Sequence, residues 1–297
     1  MKFSFEVLAK RLGVRQGVAY MIASAFAFSV MTLLVKIVGA RLPSQEIVLV
    51  RALISLGLSW VLLRRAGISI WGKNPRLLVA RGFVGFLALS CVYYSVTHNP
   101  LAEATIIQYL YPAITAALAT LVLGERFPRR LLLAAPVSAV GLVLIAKPAF
   151  LFGAGVALDP VALWAAVVGA VLTSVAYVLV RQLAMKEHPL VIVFYFPLVT
   201  VPATLPFVMT HFVAPRGIEW LLLAGVGLAT QAGQVWLTRG LQMESAGRAA
   251  ATSYLQVIFA TFWGALWFGQ FPDGVAIVGG VLLVGATLAV ALETDPA

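Results

Sequence analysis

Gly124–Pro128 reads GERFP, and Gly269–Pro272 reads GQFP, which is the same signal one residue shorter at an offset of 145 residues. The rest of the chain repeats at the same offset. Equivalent pairs are Lys36 with Arg181, Gly82 with Gly227, Tyr109 with Tyr254, Leu110 with Leu255 and, after the deletion, Gly141 with Gly285. The chain is therefore an internal duplication.

The duplication predicts the domain organisation. The two repeats occupy residues 17–148 and 159–292, with a short segment at 1–16 before them and a tail at 293–297 after them. Residues 1–16 lack the small-residue cleavage site of a removed signal peptide, so we expect this segment to stay on the protein. Two apolar repeats in one chain are typical of a secondary transporter.

The composition indicates that the protein lies in a lipid membrane. Hydrophobic residues make up 62% of the chain and charged residues only 11%, with a mean hydropathy of +0.99. A soluble domain carries about 25% charged residues to cover its water-facing surface. A soluble globular fold is therefore excluded, and no polar stretch is long enough to fold as a separate domain.

Ten segments are long and apolar enough to cross a bilayer as helices. A crossing helix needs about 20 apolar residues, and lipid leaves an isolated strand without hydrogen-bond partners. The sequence therefore predicts an all-α polytopic membrane protein with spans at 17–38, 45–63, 77–97, 101–123, 129–147, 159–180, 189–212, 217–238, 246–268 and 273–292.

The distribution of basic residues predicts the orientation. With the N-terminus in the cytoplasm, most of the 21 Lys and Arg residues fall on the inner side. The outer side holds only Lys36, Arg41, Arg51, Lys147 and Arg216. Because positive residues collect on the cytoplasmic side, both termini are predicted to be cytoplasmic. The net charge of +10 is then explained by loops facing an anionic leaflet rather than by nucleic-acid binding.

Five spans in each repeat mean that the second repeat enters the membrane from the opposite side. Lys36 ends the first span at the outer face, whereas its equivalent Arg181 ends the sixth span at the inner face. The sequence thus predicts two inverted five-helix repeats, with a substrate site at their interface and alternating access by exchange of their conformations.

The fourth span carries features that resemble one family. Residues 102–104 (AEA) lie at the start of the span, Tyr111–Pro112 lies in its middle and Gly124–Glu125 lies at its end. Together with the chain length and the inverted duplication, this pattern resembles the drug/metabolite transporter superfamily, in its ten-helix EamA-like branch, over residues 15–292. The second repeat departs from it, because Val257 replaces Pro112 and Gln270 replaces Glu125.

The resemblance implies the substrate class. Members of that superfamily export amino acids, metabolites, drugs or nucleotide sugars, and the chain is similar to the bacterial exporters of aromatic and neutral amino acids. It implies a multi-pass protein of the bacterial inner membrane that has a small-molecule substrate and the lipid bilayer as partners, and no nucleic acid.

Polar side chains within the spans are the candidate substrate site, because they are costly in lipid and usually face the bundle interior. Amides and hydroxyls can bind the amino and carboxyl groups of an amino acid, and aromatic faces suit its apolar side chain. The residues predicted to bind substrate are Tyr94, Gln108, Tyr111, Tyr177, Gln231, Gln234, Thr252 and Gln256.

Other interpretations of these residues stay open. Polar side chains in membrane helices often only join helices, and aromatic residues near span ends form interfacial belts. Lys36 and Arg51 at the outer mouth can extend to the headgroups. They can also form a cationic mouth that pairs with Glu46 or Glu103, or that attracts a carboxylate.

The carboxylates and the missing motifs limit the mechanism. The 11 Asp and Glu residues all avoid the middle of a span, so we expect no proton relay through a buried carboxylate and favour facilitated export. Catalytic motifs, paired cysteines and phosphate-binding loops are missing, which argues against an enzyme and predicts no cofactor and no metal.

The sequence therefore predicts a secondary transporter that exports small metabolites, with amino acids favoured. Export of drugs or other metabolites by the same fold, import, and a membrane sensor or scaffold without transport are the alternatives. The polar stripes within the spans argue against the scaffold, which has no need of them.

Overall fold

A computed structural model of the chain describes residues 15–99, 101–127, 130–148, 151, 159–210 and 212–292, with the backbone alone at 96, 97 and 101–103. Across these residues the regular structure is helical, without a strand. The helices are α1 Gln16–Val38, α2 Ser44–Arg65, α3 Pro75–His98, α4 Leu101–Gln108, α5 Tyr111–Leu123, α6 Leu131–Ala146, α7 Pro160–Ala184, α8 Pro189–Thr210, α9 Ile218–Met243, α10 Ala246–Thr252, α11 Leu255–Phe268 and α12 Gly274–Ala291.

These helices form the predicted ten-span bundle. Within the described residues, nine stretches are long and apolar enough to cross a membrane. The tenth, α6, has only 16 residues and is about 24 Å long at 1.5 Å per residue. The all-α polytopic architecture is confirmed. Most of the segment at 1–16 and all of the tail at 293–297 lie outside the described residues.

Two of the predicted spans are broken in the middle. The fourth span divides into α4 and α5 around Tyr109 and Leu110, and the ninth into α10 and α11 around Ser253 and Tyr254. Pro112 explains the first break, because it has no N–H to donate to the carbonyl four residues earlier. The second break has no proline. There the N–H groups of Ser253 and Tyr254 bond three residues back, in the tighter pattern of a 3₁₀ turn.

The two repeated Gly signals end α5 and α11 in the same way. Gly124 has φ 67° and Gly269 has φ 65°, a left-handed conformation that favours glycine. The amide of Gly124 donates to the carbonyl of Ala119, and that of Gly269 donates to the equivalent carbonyl of Gly264. The duplicated sequence thus folds into duplicated backbone geometry.

Helices of one half pack mainly on helices of the other. α1 packs on α9 and α7 packs on α3, which is the same pair with the halves exchanged. α2 packs on its equivalent α8, and α6 packs on its equivalent α12. A twofold axis between the halves produces this pattern of pairs.

Small residues let these helix pairs approach closely. The backbones of α6 and α12 meet at Gly141 and Gly279, where a Cβ on Gly141 would lie 2.7 Å from the carbonyl oxygen of Gly279. In the α1–α9 pair, Gly233 faces the ring of Phe28 and Gly240 faces Met21. Such contacts are the usual basis of helix association in lipid.

Candidate substrate site

The bundle has two ends, which we name by one residue each. The Lys36 end is marked by the last turn of α1, the C-terminus of α6 and the loop between α11 and α12. The Arg181 end is marked by the last turn of α7, the C-terminus of α5 and the N-terminus of α10.

A cavity of about 750 Å³ opens at the Lys36 end between α1, α4, α6, α11 and α12. Ser29, two helical turns before Lys36, lies at its inner limit, so the cavity reaches about 10 Å along the bundle. Its wall is mostly apolar and includes Leu33, Leu142, Ile145, Val257 and Ala260. This volume lies within the range of small-molecule sites.

The hydroxyl groups of the cavity donate inward, and one of them leaves an oxygen for a ligand. Ser29 donates to the carbonyl of Phe26 (2.7 Å), and Thr32 donates to that of Phe28 (2.9 Å). The indole of Trp263 donates to Ser29 at 3.1 Å, which fixes the orientation of its ring at the wall. Because its hydroxyl proton is used by the backbone, the exposed Thr32 offers an acceptor to a ligand such as an ammonium, whereas the buried Ser29 already accepts from Trp263.

Charged residues lie only at the rim of the cavity. Lys36 Nζ is 3.5 Å from Gln270 Oε1 and 4.1 Å from the centre of the Phe268 ring. Lys147 forms an ion pair with Asp273. The hydrogen bond from Lys147 lowers the pKa of Asp273, and the backbone N–H of Ala276 lowers it further. Asp273 is therefore ionised at neutral pH.

A cluster of tyrosines lies around the two broken helices. The rings of Tyr109 and Tyr254 stack with centroids 5.8 Å apart, and those of Tyr111 and Tyr177 are 5.2 Å apart. Tyr111 is hydrogen-bonded through its hydroxyl to Ser253. Tyr111 and Tyr254 are buried, so this cluster fills the space where an open channel would continue.

An ion pair closes the Arg181 end. Arg181 Nε is 2.6 Å from Glu125 Oε1, and Glu125 Oε2 accepts a hydrogen bond from the amide of Ala246 at 2.8 Å. Arg181 also donates to the carbonyls of Leu241 and Gln242. The contacts join the ends of α5, α7, α9 and α10, so this end is closed while the Lys36 end is open.

Five of the predicted substrate-binding residues lie around the tyrosine cluster. Tyr111 and Tyr177 belong to it. Gln108 donates its amide to Thr173 at 3.1 Å, and its buried Oε1 has no partner in the described part of the chain. Thr252 donates to the backbone of its own helix, and Gln256 is half-buried beside Val257 of the cavity wall.

Gln231 and Gln234 lie in a separate buried cluster between α2, α3, α8 and α9. Gln231 donates to Ser59 at 2.8 Å, and Gln234 Oε1 accepts from Arg81 at 3.1 Å. The cavity beside them, which Arg51 also lines, is only about 10 Å³ and holds about one water. In this conformation the cluster is too tight for an amino acid.

Tyr94 lies apart from both clusters. It is exposed, at 40%, and its ring stacks on His98 with centroids 4.2 Å apart. The eight predicted residues therefore fall into two groups and one separate position, and none of them lines the large cavity itself.

Arg81 is the main buried residue that the sequence analysis missed, because counting basic residues on each side of the membrane does not show that one of them is buried. It lies in the second turn of α3 and is buried, under the ring of Phe196 at 4.7 Å. Its Nε and Nη1 have no hydrogen-bond partner among the described residues. The helix start at Pro75 was the available signal, since it places Arg81 inside the span rather than in the loop.

Other residues of the cavity were missed for a different reason. Ser29, Thr32, Thr105 and Trp263 are visible in the sequence as polar or aromatic positions within spans, but nothing there separates them from similar positions. Only the packing of α1 against α11 distinguishes them.

The described acidic residues lie near helix ends. The buried ones are bound there: Glu46 accepts from the amide of Val213, Glu187 from the amides of Lys73 and Asn74, and Glu244 forms an ion pair with Arg248. The described residues also contain no group of His, Cys, Asp and Glu that could hold a metal ion.

The sequence profile of the EamA-like transporter family matches this chain twice, over residues 15–147 and 160–292. The chain belongs to the EamA-like transporter family. The two matches fall on the two halves that carry the duplicated signals, and together they contain all the helices described above. The resemblance on the fourth span is confirmed.

Transport proteins of other organisms are similar to this chain over most of its length. The pseudopaline exporter CntI of Pseudomonas aeruginosa is 37% identical over 277 residues, which cover 93% of this chain and 96% of that protein. The S-adenosylmethionine uptake transporter of Rickettsia prowazekii is 26% identical over 278 residues, covering 92% and 91%. Solute carrier family 35 member G1 of Mus musculus is 27% identical, covering 91% and 77%.

A solved crystal structure has the same fold. It matches with a TM-score of 0.76 at 22% identity, covering 91% of this EamA-like chain and 96% of the other. The family and these relatives are transporters and not enzymes, so this multi-pass membrane protein is a transporter of small metabolites.

Proposed function

We propose that the chain exports amino acids, or closely related metabolites, across the bacterial inner membrane by alternating access. One observation carries this proposal. Equivalent residues of the two halves lie at opposite ends of the bundle, and one of these ends is open whereas the other is closed. Lys36 and Gln270 are exposed at the open cavity, whereas their equivalents Arg181 and Glu125 are paired and half-buried.

The halves at 17–148 and 159–292 act, in this proposal, as inverted repeats that exchange conformations. The exchange would close the cavity at the Lys36 end and open an equivalent cavity at the Arg181 end. The tyrosine cluster and the residues around it, including Gln108 and Gln256, would line the substrate path at the crossing of the broken helices.

The chemistry of the cavity supports a zwitterionic substrate with an apolar part. The hydroxyl oxygen of Thr32 can accept from an ammonium, and the Trp263 ring offers an aromatic surface. Drugs and other amphipathic metabolites also fit a wall of this composition, and they remain the alternative substrates.

The orientation follows from the basic residues. Arg126, Arg130, Arg181 and Arg248 lie at the Arg181 end, which is therefore the cytoplasmic side in this proposal. Both termini would then be cytoplasmic, and the open cavity would face the periplasm.

Export is the direction that the 37% identical pseudopaline exporter supports. Uptake is the second candidate, because the S-adenosylmethionine uptake transporter shares the family at 26% identity. The position of the described carboxylates near helix ends supports movement down a gradient, since a proton relay usually needs an acidic residue at mid-span.

The test is counterflow in proteoliposomes that contain the purified chain. A panel of labelled amino acids is measured with and without a pH gradient. We expect saturable exchange of aromatic and neutral amino acids that does not depend on the gradient, and a weaker exchange in Gln108→Ala and Gln256→Ala.

Three results would change the proposal. Exchange of drugs or other metabolites without any amino-acid flux would move the substrate to the alternative class. Accumulation driven by the pH gradient would overturn the facilitated mechanism. Full activity of both glutamine variants would remove Gln108 and Gln256 from the site.

A further inference from the structure

Two equivalent side-chain pairs lie at opposite ends of the bundle. Arg181 is 2.6 Å from Glu125 at the closed end, and Lys36 is 3.5 Å from Gln270 at the open end. The offset of the repeats makes Lys36 the equivalent of Arg181 and Gln270 the equivalent of Glu125. The cation is thus present in both halves, whereas the carboxylate is present in only one.

Among the described residues, the charge of Lys36 has no counter-ion. Its described contacts are the neutral amide of Gln270 and the ring of Phe268. The acidic residue of the described rim, Asp273, pairs with Lys147 instead. The described lining of the cavity therefore carries one net positive charge, which is exposed at Lys36.

We propose that Lys36 binds the carboxylate of the transported molecule. This carboxylate would lie beside Lys36 as Glu125 lies beside Arg181 in the other half. This inference rests on the proposed function and names its substrate class: molecules with a carboxylate next to an apolar or aromatic body. The neutral amide of Gln270 holds this place only by a long contact of 3.5 Å, so a ligand carboxylate can displace it.

The rest of the cavity fits such a molecule. From a carboxylate at Lys36, an apolar body extends inward along Phe268 and Trp263, and an ammonium group reaches the hydroxyl oxygen of Thr32 one turn from Lys36. A Lys–carboxylate contact is also stronger than the Lys–amide contact that the free cavity offers.

Closing of the Lys36 end would then depend on the ligand. At the Arg181 end the carboxylate of Glu125 joins helices α5, α7 and α10 through its cation and an amide. The substrate carboxylate would complete the equivalent contacts at the Lys36 end, so that this end closes readily only when it is occupied.

The first test measures binding without transport. Purified protein is treated with an amine-reactive reagent, and modification of Lys36 relative to the exposed Lys73 at the Arg181 end is followed by peptide mass spectrometry. The ratio cancels the reagent that the amines of the added probes consume. Phenylalanine and phenylalaninamide serve as probes because they differ only in the carboxylate. We expect phenylalanine to slow modification of Lys36 at least fivefold more than phenylalaninamide at the same concentration. Equal protection, or none, overturns the proposal.

The second test measures counterflow of the same two probes. Lys36→Met is expected to raise the KM for phenylalanine at least tenfold without changing the flux of phenylalaninamide, and Lys36→Arg is expected to restore most of it. Gln270→Glu supplies an internal carboxylate and should also raise the KM for phenylalanine. The matched control is Arg216→Met, which removes an exposed cation at the same end outside the cavity.

The two tests separate this inference from the proposed function. If phenylalanine is exchanged equally well by wild type and Lys36→Met, the Lys36 site is wrong and transport stands. If Lys36 is protected by phenylalanine but no probe is exchanged, the site stands and the proposed function is wrong for this substrate.

Discussion

Tyr254 contacts its own repeat equivalent, Tyr109. The Tyr254 hydroxyl donates to the carbonyl of Tyr109 at 3.0 Å, and the two rings stack with an interplanar angle of 24°. Residues at equivalent positions can touch only near the axis that relates the halves. The contact therefore places the tyrosine cluster on that axis, between the open cavity and the closed end.

Tyr254→Phe tests how much this hydrogen bond contributes to the stability of the fold. Tyr109 lies between α4 and α5, so its carbonyl is outside the helical ladder and the phenol supplies its donor. Phe keeps the stacking and removes only the hydrogen bond. We expect a loss of about 0.6–1.7 kcal/mol in the free energy of unfolding, measured by denaturant titration in mixed micelles.

The comparison variant is Tyr254→Leu, which removes the stacked ring as well. It should lose more stability than Tyr254→Phe. If both variants unfold like the wild type, the contact on the axis does not stabilise the fold.

Gly141→Ala tests the close approach of α6 and α12. The new Cβ would lie 2.7 Å from the carbonyl oxygen of Gly279 and 3.1 Å from the amide of Leu283, so backbone must move. We expect a loss of about 1–3 kcal/mol, seen as a lower thermal unfolding temperature in detergent.

Gly285→Ala is the matched control in α12. No atom lies within 4 Å of a Cβ at Gly285, and alanine is a better helix former by about 1 kcal/mol. Its stability should stay unchanged or rise. Equal losses at Gly141 and Gly285 would contradict the packing argument.

Most of the fold could be predicted from the sequence, because apolar length and duplication each leave a direct signal. The ends of α5 and α11 were also visible, since Gly124 and Gly269 occupy the position where a left-handed residue ends a helix. The break at Ser253 and Tyr254 was not visible, because Val257 stands where the first repeat has Pro112 and its N–H allows a continuous helix. The turn is marked only by contacts in the structure, such as the hydrogen bond from the Ser253 hydroxyl to the carbonyl of Ala250.

The site was predictable only in part. Most of the predicted polar residues lie inside the bundle, but the sequence does not say which helices face each other. Gln231 therefore pairs with Ser59 and Gln234 with Arg81, away from the large cavity. The sequence also does not tell which end of the bundle is open, because the two halves have similar sequences and differ here in conformation.

Gln234→Leu tests the buried cluster around Arg81. It removes the hydrogen-bond acceptor of a buried guanidinium whose other described contact is the face of Phe196. We expect a loss of about 1.5–3 kcal/mol, the usual range for a hydrogen bond to a charged group, measured by denaturant titration in micelles.

The double variant Arg81→Met with Gln234→Leu separates charge from packing. Replacing both partners with apolar side chains removes the unpaired charge, so most of the stability should return. A double variant that is less stable than Gln234→Leu would show that Arg81 stabilises the bundle by itself.

The Lys147–Asp273 pair predicts a response to acid. The pKa of Asp273 is lowered in the folded protein, chiefly by the hydrogen bond from Lys147. The stabilisation is therefore complete at neutral pH and is lost as the pH falls through the lowered pKa. Asp273→Asn keeps an N-cap for α12 but removes the charge. Its thermal unfolding temperature should be lower than that of wild type at pH 7 and should converge with it in acid.

A constant difference across this pH range would contradict the assignment. The surface position of the pair makes the effect small, so wild type and variant are best compared side by side in the same buffers. Lys147→Met should show the same convergence, because it removes the other partner.

Glu125→Gln tests whether the ion pair with Arg181 holds that end closed. The variant gives this end the same cation–amide pair that Lys36 and Gln270 form at the open end. A charge-assisted hydrogen bond contributes about 1.5–3 kcal/mol, which corresponds to a roughly tenfold to hundredfold change in population. We therefore expect Glu125→Gln to populate the state that is open at the Arg181 end.

Thiol labelling at Ala250 measures that state. Ala250 is fully buried and is the equivalent of Thr105, which lines the open cavity. With Ala250→Cys in a Cys91→Ser background, Glu125→Gln should raise the labelling rate at least tenfold, whereas Arg41→Gln, which breaks a pair at the Lys36 end, should not. If Glu125→Gln leaves the rate unchanged, helix packing and the tyrosine cluster close this end without the ion pair.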